Sequence, residues 1–326
     1  MNDWYSITPT GPITLGNLAA VGQNSGRVGC RWPPNGHHLA AALDLPKSAQ
    51  LWGPFWFNGV NLFVPIPQTV YTTDKLKDSD LPKSLYRMQW LDGHWQIRPE
   101  HQGAKTVEQL GGRFLLRTQD LEQLWKQGKL TSTNYLQPLP WQTLTLSHNH
   151  RENYQVKEDG GFFAEMTTLL TPGWSLLVRI LGGYTPPTRS SLGAGRTPVV
   201  ITAVDRPHTS WASLGAPCPD ATGAILLTGA LWSNSTDKCS LPYPSQAQPL
   251  AYAADLGQPW QTWKFIKKPK QGTARSVLTP GEWLTPAGAV YLWETAPVQK
   301  SGPMRDRFHR DALGYGHLWL FKETQS

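Results

Sequence analysis

The sequence predicts an α+β fold in two parts, built mainly from short antiparallel strands. Three observations predict it. The 326 residues exceed the size at which one hydrophobic core usually serves. The 16 Trp, 28 Pro and 30 Gly favour many short strands joined by irregular loops. Two segments read as helices, one by its helix formers and one by its spacing, whereas a longer series of apolar runs is bounded by turn residues. With 39% hydrophobic and 16% charged residues and a mean hydropathy of −0.40, the chain falls in the globular class, since disorder needs high charge and few aromatics.

Taken in order, residues 3–9 read as a strand and 10–32, rich in Gly and Asn, as a loop. Residues 33–45 read as a short helix, with Pro33 and Pro34 at its start and strong helix formers over 39–43. Strands over 50–57 and 60–65 follow, joined by Asn58-Gly59, a favoured two-residue hairpin turn. Residues 68–112 read as an insertion holding one hairpin over 88–97 with Asp92-Gly93 at its tip. Residues 118–129 carry Leu121, Leu124 and Trp125 on one helical face, closed by Gly128, which predicts an ordinary packing helix.

The expected division is a first domain over 1–138, with its insertion near 68–112, and a second over 139–326. Strands in the second are expected over 143–147, 161–170, 175–181, 197–204, 224–231, 289–293 and 316–321. Their spacing is irregular, so no repeat of 20 to 50 residues is present. Glycine-rich or basic loops at 182–195 and 264–275 separate them.

The net charge of +7 and pI near 9.3 concern partners rather than fold, and polyanions are the natural candidates. Cys30, Cys218 and Cys239 are odd in number and form no C-x-x-C pair, so neither a disulfide framework nor a structural zinc site is expected, and a reducing cytoplasm fits. The first residues lack a basic stretch followed by an apolar one, so no signal peptide is expected. No apolar run reaches the ~18 residues of a membrane span, and no membrane partner is expected.

The segment 264–275 holds Lys264, Lys267, Lys268, Lys270 and Arg275 with no acidic residue, beside Trp263 and Phe265. Cations pair with phosphates and rings stack on bases, so this composition suits single-stranded RNA. Arg305, Arg307, His309 and Arg310 form a second basic cluster, partly offset by Asp306 and Asp311, ahead of Gly314-Tyr315-Gly316. Glycines at such a bend let backbone N–H groups approach a phosphate; equally, they can serve a bulge or tight packing.

His148 and His150 have no third ligand near them in sequence, so no metal and no cofactor is expected. As an acid and base for metal-independent RNA cleavage they are chemically sufficient, although exposed polar positions at a strand end would look the same. The serine-nucleophile elbow, the phosphate-binding P-loop, the H-E-x-x-H pair and the dinucleotide fingerprint are missing from the sequence, so no catalytic residue is assigned.

Several segments, in order, carry a resemblance. The strand Leu51-Trp52-Gly53-Pro54 leads into Pro65-Ile66-Pro67, downstream of Pro34 and the small-residue run His38 to Leu43. A strand reaching Leu146 leads to Arg151, a variable turn, and Asp159-Gly160-Gly161 before an aromatic strand. Gly182-Gly183, a strand over 225–228, a strand over 286–293 and Gly314-Tyr315-Gly316 complete the series. Together these resemble the RAMP-superfamily subunit of Cmr (type III-B) CRISPR effector complexes that caps the 5′ end of the guide RNA.

The chain departs from that pattern in carrying Leu15-Gly16-Asn17 after the first strand, and in moving the basic residues that follow Gly182-Gly183 to Arg189 and Arg196. The resemblance implies two ferredoxin-like (RRM-like) domains with insertions, no catalytic role, and binding of the CRISPR RNA 5′ handle. It also implies neighbours: the large polymerase-like subunit and backbone RAMP subunits of a hetero-oligomeric antiviral complex. It points to Arg151, Gly182, Gly183, Gly314 and Gly316 as RNA contacts, with His150, Arg189 and Arg196 beside them; the basic residues of 264–275 and Arg305, Arg307 and Arg310 join them on charge. The alternatives are a RAMP endoribonuclease that processes guide precursor, using His148 and His150, and the equivalent subunit of a type III-D complex.

Overall fold

A computed structural model of the chain describes residues 3–16, 26–28, 30–77, 80–134, 136–149, 151–152, 155–156, 162–205, 210–232, 241–267 and 274–323. The expected α+β class, dominated by antiparallel sheets, is what these residues form. The first sheet comprises β1 (Trp4–Pro9), β2 (Gln50–Phe57), β3 (Leu62–Pro65), β4 (Phe114–Arg117), β5 (Leu136–Pro138), β6 (Ser175–Leu181), β7 (Arg189–Leu192) and β8 (Thr197–Ala203). Its order is β5-β4-β3-β2-β6-β1-β8-β7, antiparallel throughout. The second comprises β9 (Gly223–Leu226), β10 (Ala251–Ala253), β11 (Val290–Leu292), β12 (Gly302–Pro303) and β13 (His317–Phe321) in the order β10-β11-β9-β13-β12.

One pattern recurs. In the first sheet β2-β6-β1-β8, and in the second β10-β11-β9-β13, run as second, third, first and fourth strand of their own chain order. The 138/139 division expected from sequence falls inside the first sheet, where β6 and β8 flank β1. Such pairings join residues at least 169 positions apart and leave no local pattern. Residues 68–112 contribute mainly a separate small sheet and the hairpin Gln89–Leu91/His94–Gln96, whose tip takes positive φ at Asp92 (52°) and Gly93 (79°).

Period-two alternation places the core. Ile225, Trp319 and Phe321 face inward between the two sheets and meet Trp52, Phe55 and Phe57 of β2, together with Leu121, Leu124 and Trp125 of α2 (Thr118–Gln127). Their neighbours Ala224, Leu318 and Leu320 pack on the far face of the second sheet. Leu51 and Trp56 turn to the far face of the first, under Leu39, Ala42 and Leu43 around α1 (Gly36–Ala42). α2 ends where predicted, with Gly128 at φ 70° donating to the Leu124 carbonyl at 2.8 Å.

Alternation breaks once, at Gly53-Pro54. Phe55 stands opposite Leu177 and Trp52 opposite Arg179, so three steps on β2 meet two on β6: a β-bulge. Gly53 holds φ at 113°, and a side chain there would meet the Leu177 carbonyl. Gly314 (φ 83°) lies against the Gly53 carbonyl so closely that a Cβ could not fit. The hairpin turn after β2 is longer than Asn58-Gly59 alone: Asn58 Oδ1 accepts from the Val60 and Asn61 amides at 3.2 and 2.8 Å, and β3 starts at Leu62.

Candidate nucleic-acid interface

α1 begins at a capping box. Asn35 Oδ1 accepts from the His37 and His38 amides at 3.1 and 3.3 Å, and His38 Nδ1 accepts from the Asn35 amide at 3.3 Å. This fixes the side of the helix that faces a polar cleft of about 620 Å3, walled by α1, by the turn between β7 and β8, and by the root of a further hairpin. Arg31, His38, Ser190, Ser191, Arg196, Gln261 and Thr262 supply its polar groups, with Asp44 as the one carboxylate among the described residues. Burial lowers the pKa of the Arg31 guanidinium and brings His38 down to about 4, with the charges of His37 and Arg31 adding to the shift.

The turn is built for close approach. Arg196 is exposed at φ 48° with its amide donating to the Gly193 carbonyl at 3.1 Å, and the Ala194 amide donates to Thr14 at 2.8 Å. Gly193, at φ 80°, has no room for a side chain against the Thr14 carbonyl. Opposite it, the Thr262 amide donates to Thr279 Oγ1 at 3.1 Å and the Thr279 amide to the Thr262 carbonyl at 2.9 Å, closing the hairpin Trp263–Lys267/Ala274–Leu278 at its root. In this ladder Lys264 pairs with Val277, Ile266 with Arg275 and Lys267 with Ala274. Lys268 and Lys270 lie outside the described residues. The cleft therefore brings Arg196 next to the base of the segment that carries Lys264, Lys267 and Arg275, and adds Arg31, which sequence reading passed over because it sits in a Gly-rich stretch read as a loop.

Other expected contacts are distributed differently. Arg189 is exposed on β7, opposite Val200. Gly182 and Gly183 are exposed at positive φ (103° and 73°) after β6; Gly182 abuts the Ser48 carbonyl, while Gly183 is open. Gly314 and Gly316 serve tight packing, the first on Gly53 and the second against Trp232. Arg305 and Arg307 are exposed and line a small cavity of about 160 Å3 beside Trp232 and Gln246.

Arg310 is placed differently from these cations. It is 5% exposed, forks onto both Glu282 oxygens at 2.8 and 2.9 Å, pairs with Asp306 and donates to the Leu231 carbonyl at 3.0 Å. Its donors are committed inside the protein, the arrangement of a structural ion-pair centre.

Arg151 lies on a short ladder, Arg151–Glu152/Gln155–Val156, beyond the long hairpin Trp141–Asn149/Phe162–Leu170. His148 Nε2 stands 3.4 Å from a Glu165 oxygen, and His150 lies outside the described residues. Among the described residues no group of three or more His, Cys, Asp or Glu could hold a metal ion, and no helix is long and apolar enough to cross a membrane.

No family model and no curated protein matches the sequence. Among solved structures, the chain is similar to one in the type III-B Cmr-beta complex bound to cognate target RNA, at 9% identity and a TM-score of 0.48, covering 97% of this chain and 96% of the other. A chain of the Csm3-Csm4 subcomplex of the type III-A CRISPR-Cas interference complex is matched at 7% identity and a TM-score of 0.35, over 93% and 95%. One of the Csm1-Csm4 cassette in complex with AMPPNP is matched at 9% identity and a TM-score of 0.34, over 100% and 98%.

Proposed function

We propose that this chain is a non-catalytic RNA-binding subunit of a type III CRISPR ribonucleoprotein, holding the 5′ handle of the guide RNA beside a large polymerase-like subunit and the first backbone RAMP subunit. The observation that carries RNA binding is the cleft in which Arg31 and Arg196 meet the root of the basic hairpin. Cations spaced along one groove neutralise consecutive phosphates. The place in a CRISPR complex rests on the series of motifs from Gly53-Pro54 to Gly314-Tyr315-Gly316, in order along the chain. A pair of ferredoxin-like domains is supported by the shared second-third-first-fourth strand order of the two sheets. In this reading the first domain runs through β8, with residues 58–174 inserted between its second and third strands.

The test is binding of handle-bearing guide RNA by the purified chain at several salt concentrations, comparing Arg196→Glu and Lys267→Glu with the unsubstituted protein. Both substitutions are expected to weaken binding and to flatten its salt dependence by about one unit of slope per lost phosphate contact. Affinity unchanged in both variants would remove the cleft from the interface.

A further inference from the structure

A second cavity adjoins the cationic cleft. It has a volume of about 200 Å3, with walls from Trp32, Trp56, Trp141, Pro54, Leu227 and Pro286 among others, while the exposed Asp255 and Gln258 add polar groups to its lining. The three indoles form one cluster: Trp56 and Trp141 stack at 4.5 Å and 24°, and Trp32 tilts against both at 6.0 and 6.1 Å. Their positions are locked. Trp32 leads into the capping box of α1, Trp56 lies on β2 just past the bulge, and Trp141 opens the long hairpin.

The two cavities share their partition. Arg31 lines the cleft and Trp32 the pocket; His38 and Gly36 stand on the two sides of the start of α1; Thr262 and Gln261 line the cleft and Gln258 the pocket. A polyanion lying in the cleft therefore passes an aromatic recess within a few residues of its phosphates. The volume is below the roughly 300–1,000 Å3 of pockets that take drug-sized ligands, and suits a single planar ring system. Aromatic walls hold such a ring by stacking, while a carboxylate acceptor and a carboxamide offer hydrogen bonds to its edge.

We propose that this pocket receives one unpaired nucleobase, turned out of a single-stranded RNA whose backbone occupies the adjoining cleft. The proposal rests on the RNA-binding reading above and adds a base-stacking subsite, at the half-buried Trp32 and Trp141 backed by the buried Trp56, to its phosphate contacts. It accounts for an aromatic recess beside the cleft that phosphate binding alone does not require.

The experiment uses the full chain and a short single-stranded handle-bearing RNA with 2-aminopurine placed at one position at a time, since that base loses fluorescence when it stacks on an indole. One position is expected to be quenched on binding far more than its neighbours. Trp141→Leu should remove that quenching and weaken binding about 5- to 150-fold, the range that follows from losing one base stack. Ala287→Phe, which fills the pocket without removing a core side chain, should do the same with the salt dependence of binding unchanged. Salt-sensitive binding with no selectively quenched position, or with quenching untouched in both variants, overturns the pocket and leaves the cleft standing. No RNA binding by the unsubstituted chain overturns both.

Discussion

Arg196 and Arg310 look alike in sequence: each is a cation a few residues from a glycine that turns the chain. In the structure they are opposites. Arg196 is exposed on a left-handed turn that lines the cleft. Arg310 is buried beside Trp260 and Phe308 and bound to Glu282 and Asp306. What separates them is the supply of acidic partners. Glu282 reaches Arg310 from 28 positions away, and its oxygens, with Asp306 and the Leu231 carbonyl, take up guanidinium donors that a phosphate would need. Cationic residue type is thus no measure of a binding role until the carboxylates folded onto it are known.

The contrast can be broken at either end. Arg310→Ala strands two carboxylates in a largely buried site and should cost about 3–5 kcal/mol of folding stability, read as a shifted urea midpoint. A change under about 1 kcal/mol would show that the ion pairs are not holding this corner together. Next in size is Gly314→Ala. It places a Cβ in the left-handed region and against the Gly53 carbonyl, and should cost about 1–3 kcal/mol; a neutral result would mean that the bulge and the glycine step can part without penalty. Arg196→Glu, by contrast, should stay within about 0.5 kcal/mol of the unsubstituted stability and yet lose RNA affinity. Loss of both would place Arg196 with Arg310.

The same contrast extends to pH. Burial holds His317 near pKa 4, and His37 likewise, with the Arg310 charge helping to lower the latter. His317 is fully buried, its Nε2 donating to the Leu214 carbonyl at 2.8 Å, and its ring meets Trp52 edge-on. The unfolded chain takes up protons near pH 6.5 that these folded rings refuse, so their contribution is complete above pH 6.5 and is lost as pH falls toward 4. Stability measured by urea at pH 7 and pH 5 should therefore fall, and His317→Gln should flatten that dependence. A flat profile in the unsubstituted protein would contradict the burial of these rings.

Local features were legible in the sequence. The span of β6, the helix closed by Gly128 and the Asp92-Gly93 tip depend on residues adjacent to one another, and each stands where its pattern put it. What could not be read was pairing at a distance. Nothing near residue 138 signals that β6 will lie between β1 and β2, and nothing near Arg310 names Glu282. The cleft was half legible: Arg196 and the basic hairpin announce themselves by charge, whereas Arg31 gains meaning only from folding beside them. Trp32, Trp56 and Trp141 come together from three separate segments, and each alone reads as core.

The measurement that bears most directly on the account is the salt dependence of handle RNA binding by the unsubstituted chain and by a variant carrying Arg196→Glu and Lys267→Glu together. Affinity that falls steeply with salt in the former, and weaker binding with a slope shallower by about two units in the latter, is the predicted result. Equal affinity and equal slope in the two proteins would contradict it.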